Sequence, residues 1–358
     1  MKKTSHFISM LLAFVLCLTL VACGSAEPSK NAPESATPST SNTQDKQEVS
    51  QPITLKVASQ DTAESLAGQL LTSFKTAVEK ESNGSITVDL HFSGTLGSLN
   101  DMVEGVSMGT IDMATAGIGS FQSYCDNMMI FDNYLVGTTE GFLAIWESEV
   151  GQQVLNQLCE EAGIRAIGYN LCGVGHVEYW TSKDYATIES LKNVNLRTNG
   201  TKTVNLACEA IGAVAVPVSN AEQYNAFQTG MIDAMSLDAA NMMDMGFLQD
   251  GMYELDIIDN YLATAFVISQ STWEKLSSEQ QEILLACAKT YSDTSGEQYA
   301  DKLSNTAARL KEYDVPLCSI SAEDIAELNK MVTATLGEYY GEFCDPDVLA
   351  QAMAVLGK

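Results

Sequence analysis

Few residues in this 358-residue chain have the type and setting to carry chemistry, and Arg197 is the clearest of them. It ends the apolar run "VNLR", which reads as a strand, just before a turn and a helix. The carboxyl end of a strand beside a helix N-terminus is where open α/β sheets bind ligands. A guanidinium there offers a planar fork that matches a carboxylate. The residue type alone leaves a surface ion pair as an equal alternative. Other chemistries find less support. The chain has no Gly-x-Ser-x-Gly, and beyond residue 22 its histidines are His91 and His176. His91 alternates with apolar neighbours in "SITVDLHF" and reads as a packed strand residue. His176 and Glu178 share one strand face, a weaker argument for a metal than for ordinary hydrogen bonding. The methionines of "DNMMIF" and "NMMDMGF" fall at helical spacing without a nearby histidine, so core packing outweighs Cu(I) ligation. The expectation is a binding site for an anion, with no catalytic residue, metal or cofactor.

The elements that must position Arg197 follow from periodicity. "ITLKVAS" alternates as a strand, 62–82 reads as a helix ending at Asn83-Gly84, and "SITVDLHF" is a second strand. Ser98 caps a helix that stops at Gly109, and "TIDMATA" follows as a third strand. A helix over 139–162 and the strand "IRAIGYN" extend this β-α-β-α-β unit, the signature of a mostly parallel sheet with helices on both faces. The pattern then recurs. "NVNLRTN" is a strand, 201–211 a helix closed by Gly212, and "AVAVPVS" a strand; Ser219 to Glu222 reads as a capping box opening the next helix. That helix stops at Gly230 before the strand "MIDAMSL". Thus "SMGTIDMATAG" and "QTGMIDAMSLDAA" repeat one phrase, a helix closed by a left-handed glycine followed at once by a buried strand. The repetition predicts two similar lobes. "YLATAFVIS" reads as a strand returning between them, and 278–313 as one helix of about 50 Å, long enough to lie across both. Two helices close the chain, one capped by Ser321, the other opening at Asp345-Pro346.

Residues 1–22 stand apart, with Lys2 and Lys3 followed by the apolar run "FISMLLAFVLCLTLVA". Leu20-Val21-Ala22-Cys23 resembles the lipobox of bacterial lipoproteins, which implies a signal peptide over 1–22 and acylation at Cys23. The Ser-, Thr- and Pro-rich stretch to residue 51 has no apolar periodicity and reads as a flexible tether. As a coil it reaches about 25–30 Å from the lipid. The formal net charge is −27, and −29 once the two lysines of 1–22 are removed, which argues against nucleic acid and anionic lipid as partners. Any anion site must therefore be built locally. Seven of the nine cysteines lie beyond Cys23, an odd number without Cys-x-x-Cys, and read mostly as small buried apolar residues.

Two runs, "FSGTLGSLNDMVEGVSMGTIDMATAG" and "LKNVNLRTNGTKTVNLACEAIGAVAVPVSNAEQYNAFQTGMIDAM", resemble the DctP family, the substrate-binding subunits of tripartite ATP-independent periplasmic (TRAP) transporters. The likeness extends from about 52 to 340, with weaker support from "FDNYLVG" and "WEKLSSEQQEIL". It implies a two-lobed α/β clamshell of the type II periplasmic-binding-protein kind, with crossing hinge strands and a long helix spanning both lobes. Lobe I is expected over 52–174 plus about 263–302, and lobe II over 175–262 plus about 303–358. The resemblance puts Arg197 on the family's carboxylate-binding arginine, Gln60 and Asp61 at the end of the first strand, and Ser98 on a turn of the same cleft. Asn220 takes a position often aromatic and Leu237 one often Asn; Tyr179 and Asp238 complete the expected ligand contacts. The family's frequent second arginine would fall near His176 or Val177 and is absent. Together these imply a lipid-anchored extracytoplasmic receptor, not an enzyme, that hands a small organic acid to the small and large membrane subunits of an ion-driven permease. With one arginine and Asp61, Glu178 and Asp238 nearby, a monocarboxylate is favoured over a dicarboxylate. An ABC-type receptor, a ligand-sensing partner of a signalling protein and, more distantly, an extracytoplasmic hydrolase are the alternatives.

Overall fold

In the computed structural model the two Gly-x-Ile-Asp phrases do the same structural work twice. The helix Leu99–Met108 ends at Gly109 (φ 72°), and the helix Gln223–Gln228 runs through Thr229 into Gly230 (φ 74°). The chain then folds back, so that Thr110 and Ile111 donate to the Gly105 carbonyl, as Met231 and Ile232 donate to that of Ala226. The aspartate that follows clamps the first strand of its sheet. Asp112 donates its N–H to the Lys56 carbonyl (3.1 Å) and its carboxylate accepts the Lys56 N–H (2.8 Å). Asp233 does the same to Asn195, at 2.8 and 3.0 Å. Each phrase therefore sets the register between a first strand and the strand entering beside it.

The structure describes residues 51–171, 178–220, 222–257 and 263–358. The first sheet contains β1 (Ile53–Ala58), β2 (Ile86–His91), β3 (Met113–Gly117) and β4 (Ile164–Asn170). The second contains β5 (Glu178–Thr181), β6 (Asn195–Thr198), β7 (Val214–Pro217), β8 (Ala234–Leu237) and β9 (Tyr253–Leu255), and β10 (Thr264–Ser269) returns to the first. The spatial orders are β2-β1-β3-β10-β4 and β7-β6-β8-β5-β9. Strands β1, β2 and β3 are mutually parallel, as are β6, β7 and β8, whereas β10 and β5 run antiparallel to their neighbours. The chain thus passes to the second lobe after β4 and comes back at β10, the two-lobed α/β clamshell the sequence predicts.

The helix Ser278–Leu310 has 33 residues and a capping box between Ser277 and Gln280. Its Ser292 and Ser295 hydroxyls accept from the Tyr169 and Leu171 N–H groups on the first lobe. Its far end reaches the second lobe through Lys302 with Asp238 and Arg309 with Asp244. A Cβ at Gly168 would come within 2.7 Å of the Ser292 hydroxyl, so the side-chain-free position lets helix and strand approach. The lobes also touch directly: the Thr203 hydroxyl of lobe II donates to Asp132 of lobe I at 2.7 Å.

Several sequence expectations shift. The helix over 139–162 is two, Thr139–Glu147 and Glu149–Ala162, because Ser148 is extended (ψ 158°) and its hydroxyl caps the Gly151 N–H. The first helix starts at Leu66, because Thr62 to Ser65 form a turn in which the Ser65 hydroxyl bonds the Thr62 carbonyl (2.8 Å) and caps the Gly68 N–H (3.1 Å). The Ser219 capping box does not form. Its hydroxyl bonds the Glu222 carboxylate and the helix begins at Gln223. Strand β9 is not among the sequence expectations, and of β5 they place only the start, with Glu178 on a strand; both are short, three or four residues, below the length at which alternation is legible. Among the described residues no helix is long and apolar enough to cross a membrane.

Candidate functional site

Arg197 sits at the carboxyl end of β6, two residues past the Asn195 clamp, and Gly200 (φ 87°) turns the chain away just beyond it. It is only 6% exposed. Its Nε donates to the Val218 carbonyl (2.8 Å), one terminal nitrogen to the Ser236 carbonyl (3.2 Å) and the other to Asn220 Oδ1 (2.7 Å). All three acceptors are neutral. Of five guanidinium N–H groups, one on each terminal nitrogen is left over, the number a bidentate carboxylate requires. Burial pulls the Arg197 pKa down to about 10. No described carboxylate lies within ion-pair distance of it. A charge taken from water without a counterion costs several kcal/mol. Among the described residues Arg197 is thus a buried group and not part of a surface ion pair.

The surroundings of Arg197 come from lobe II. Tyr179 on β5 pairs with Ser236 in register, is 4% exposed, and its hydroxyl meets Cys208 Sγ at 3.2 Å. Desolvation raises its pKa well above the usual tyrosine value, so it is a neutral wall. Asn220 is exposed and orients the guanidinium rather than stacking on a ligand as an aromatic side chain would. Gln223, missed by the sequence reading, is fully buried; its Oε1 accepts the Ser236 N–H at 3.2 Å while its Nε2 has no partner.

From lobe I come the residues after β1. Ser59 donates to the Asp61 carboxylate at 2.8 Å and accepts from Thr115 at 3.0 Å, which fixes the direction of its proton. Burial raises the Asp61 pKa, against smaller opposing effects of Ser59 and the positive charge of Lys302. Gln60 donates to the Gly97 carbonyl at 2.9 Å and so holds the turn that precedes Ser98. Ser98 is the cap of the helix Leu99–Met108, its hydroxyl shared with Asp101.

Lys302 joins the two groups. Its ammonium lies 3.2 Å from Asp238, with both side chains largely covered (14% and 13% exposed), and its charge reaches Asp61. Asp238 also caps the helix Ala239–Asp244 through the Asn241 N–H (3.1 Å). The Ser236 carbonyl held by Arg197 lies two residues before Asp238, so the guanidinium and the Lys302 pair contact the same short stretch of chain at the end of β8. The sequence reading overlooked Lys302. Its one signal was position: Tyr299, Lys302 and Thr306 follow i, i+3, i+7 on the long helix, one stripe of one face. The expectations for Cys23, His176 and Val177 lie outside the described residues.

Residues 57–342 match the profile of the DctP family, bacterial extracellular solute-binding protein family 7. The sialic acid-binding periplasmic protein SiaP of Vibrio cholerae is 25% identical over 252 residues, 67% of this chain and 74% of that protein. A TRAP periplasmic solute-binding protein of Sulfitobacter sp. NAS-14.1, solved with bound β-D-galacturonate, superposes with a TM-score of 0.74 at 17% identity, over 86% of this chain and 100% of the other. The sugar acid-binding protein of Advenella mimigardefordensis, in complex with galactonate, gives 0.76 at 16% identity over 86% and 98%.

Proposed function

Since the chain belongs to the DctP family of bacterial extracellular solute-binding proteins, we propose that it captures one small organic acid through Arg197, between two closing lobes, and delivers it to an ion-driven TRAP permease. The observation that carries this reading is the buried guanidinium with three neutral acceptors and, among the described residues, no carboxylate partner. The relatives with bound galacturonate and galactonate support an organic acid as the ligand class. The second cation of the cleft, Lys302, is already matched by Asp238, which favours a monocarboxylate over a dicarboxylate. Gln60, Asp61, Ser98, Tyr179, Asn220 and Asp238 are the further ligand-site residues of this reading, with Tyr179 and Asn220 acting by shaping and orienting Arg197. Nothing in the cleft requires catalysis. Acylation of Cys23 would hold the receptor at the membrane.

Isothermal titration against a panel of organic acids tests the reading. One acid should bind to the wild-type protein, and Arg197→Ala should lose it while still unfolding cooperatively from a folded state. Unchanged affinity in that variant would remove Arg197 from the ligand site. For the anchor, palmitate labelling and detergent partitioning should both disappear in Cys23→Ala.

A further inference from the structure

The cleft has two poles of opposite sign. At the lobe II pole the charge is +1, from Arg197. At the other, Lys302 is paired with Asp238 and makes no ion pair with Asp61, so Asp61, once ionised, leaves an excess of one negative charge among these three groups. The geometry at Asp61 is specific. Its carboxylate accepts one hydrogen bond, from Ser59, whose own proton is directed there by Thr115. A carboxylate has about four lone-pair sites, so about three stay open. An ammonium has three N–H donors, whereas a hydroxyl has one. Across the cleft, Arg197 keeps two N–H groups for a carboxylate.

We propose that the ligand is zwitterionic, a monocarboxylate that also carries a cationic amino group, with the carboxylate on Arg197 of lobe II and the nitrogen on Asp61 of lobe I. This rests on Arg197 as the carboxylate anchor. Such a ligand neutralises both poles and brings no net charge into the closed cleft. A hydroxy acid neutralises Arg197 and leaves the acidic pole without a counterion. A diacid places a second carboxylate against Asp61 and Asp238, where repulsion at short range outweighs the single, already paired Lys302. Lys302 thus acts as a positioning residue that holds Asp238 in place, and its charge partly offsets the burial that raises the Asp61 pKa; an arriving ammonium would complete the ionisation of Asp61.

The test is a matched titration of the wild-type protein with amino acids, hydroxy acids and diacids of equal length, running from glycine, glycolate and oxalate to 5-aminopentanoate, 5-hydroxypentanoate and glutarate. L-α-amino acids and D-galacturonate complete the panel. At least one amino member should bind ten-fold or more tighter than its hydroxy and diacid counterparts. In Asp61→Asn that preference should fall to about one. In Asp238→Asn, which frees Lys302, diacids should gain affinity relative to amino acids. A wild-type preference for a diacid, for a hydroxy acid or for galacturonate overturns the zwitterion while leaving the Arg197 reading standing, provided Arg197→Ala abolishes that binding. An amino preference unchanged in Asp61→Asn removes Asp61 as the receiving group. Failure of every member to bind overturns both readings.

Discussion

The two lobes share a frame and differ in what they hold up on it. In each, a left-handed glycine ends a helix and an Ile-Asp pair enters the next strand, where the aspartate grips one residue of the first strand by both its N–H and its carbonyl: Lys56 in lobe I, Asn195 in lobe II. Counting from that residue, lobe II presents a cation two positions on, at Arg197, and lobe I presents a carboxylate five positions on, at Asp61. The frame is a matter of backbone hydrogen bonds, indifferent to charge. The sign of each pole is set by single side chains beyond the clamp, so fold and specificity can vary separately.

The largest effect expected from breaking this comparison is on the charged pole of lobe II. Arg197→Ala should cost about 2–5 kcal/mol of ligand binding, since the ligand carboxylate is left unpaired in a buried site. Arg197→Lys should recover a part, because an ammonium cannot make the parallel pair. Titration calorimetry reads both.

The clamps come next, and they are not equal. The second carboxylate oxygen of Asp112 accepts the Thr272 hydroxyl at 2.7 Å, whereas that of Asp233 meets Lys183 at 3.3 Å, a side chain 64% exposed. Asp112→Ala strands two donors and should cost about 2–4 kcal/mol; Asp233→Ala strands the Asn195 N–H and should cost about 1–3 kcal/mol. Urea unfolding decides the order, and a greater loss at Asp233 would contradict it.

The glycines sharpen the contrast further. A Cβ at Gly230 meets nothing within 4 Å, so Gly230→Ala should cost only the left-handed strain, about 1–2 kcal/mol. At Gly109 the same carbon would stand 2.4 Å from the Ser271 hydroxyl, so Gly109→Ala should lower the melting temperature more. Equal shifts would mean that Ser271 yields freely.

The smallest effect concerns the joint between the lobes. Asp132 is buried and accepts from Gln122, Thr203, Tyr134 and Tyr340, and burial raises its pKa despite them. The folded state therefore takes up a proton at higher pH than the unfolded one. Stability from this group is full below the unfolded value of 3.8 and declines as pH rises through the elevated folded value. Asp132→Asn should remove that decline, which cannot exceed about 1.4 kcal/mol per pH unit. Urea midpoints of the two proteins across that window test it; parallel curves would assign the titration to another group.

Much of this was legible in the sequence because it is local. Gly109 and Gly230, the Ser98, Ser321 and Asp345 caps and the alternation of β1 and β6 follow from φ/ψ preference, orphan N–H groups and period, all written within a few residues. Arg197 was legible as the cation ending a buried strand. Lys302 and Gln223 were not, since each matters through a residue far along the chain: Lys302 through Asp238 and Asp61, Gln223 through Ser236. Even the split at Ser148 is a local competition, between capping and continuing a helix, that sequence period alone does not resolve.

By itself, then, the sequence determined the two-lobed α/β plan and the strand end at which Arg197 stands, because short-range backbone preferences and apolar period set both. Only the tertiary structure decided that this arginine is buried without a counterion among the described residues, and that a lysine on the spanning helix pairs with Asp238 of lobe II while its charge is felt at Asp61 of lobe I. Desolvation and pairing depend on which surfaces meet, and surfaces brought together from positions 61, 197, 238 and 302 leave no local trace in the order of residues.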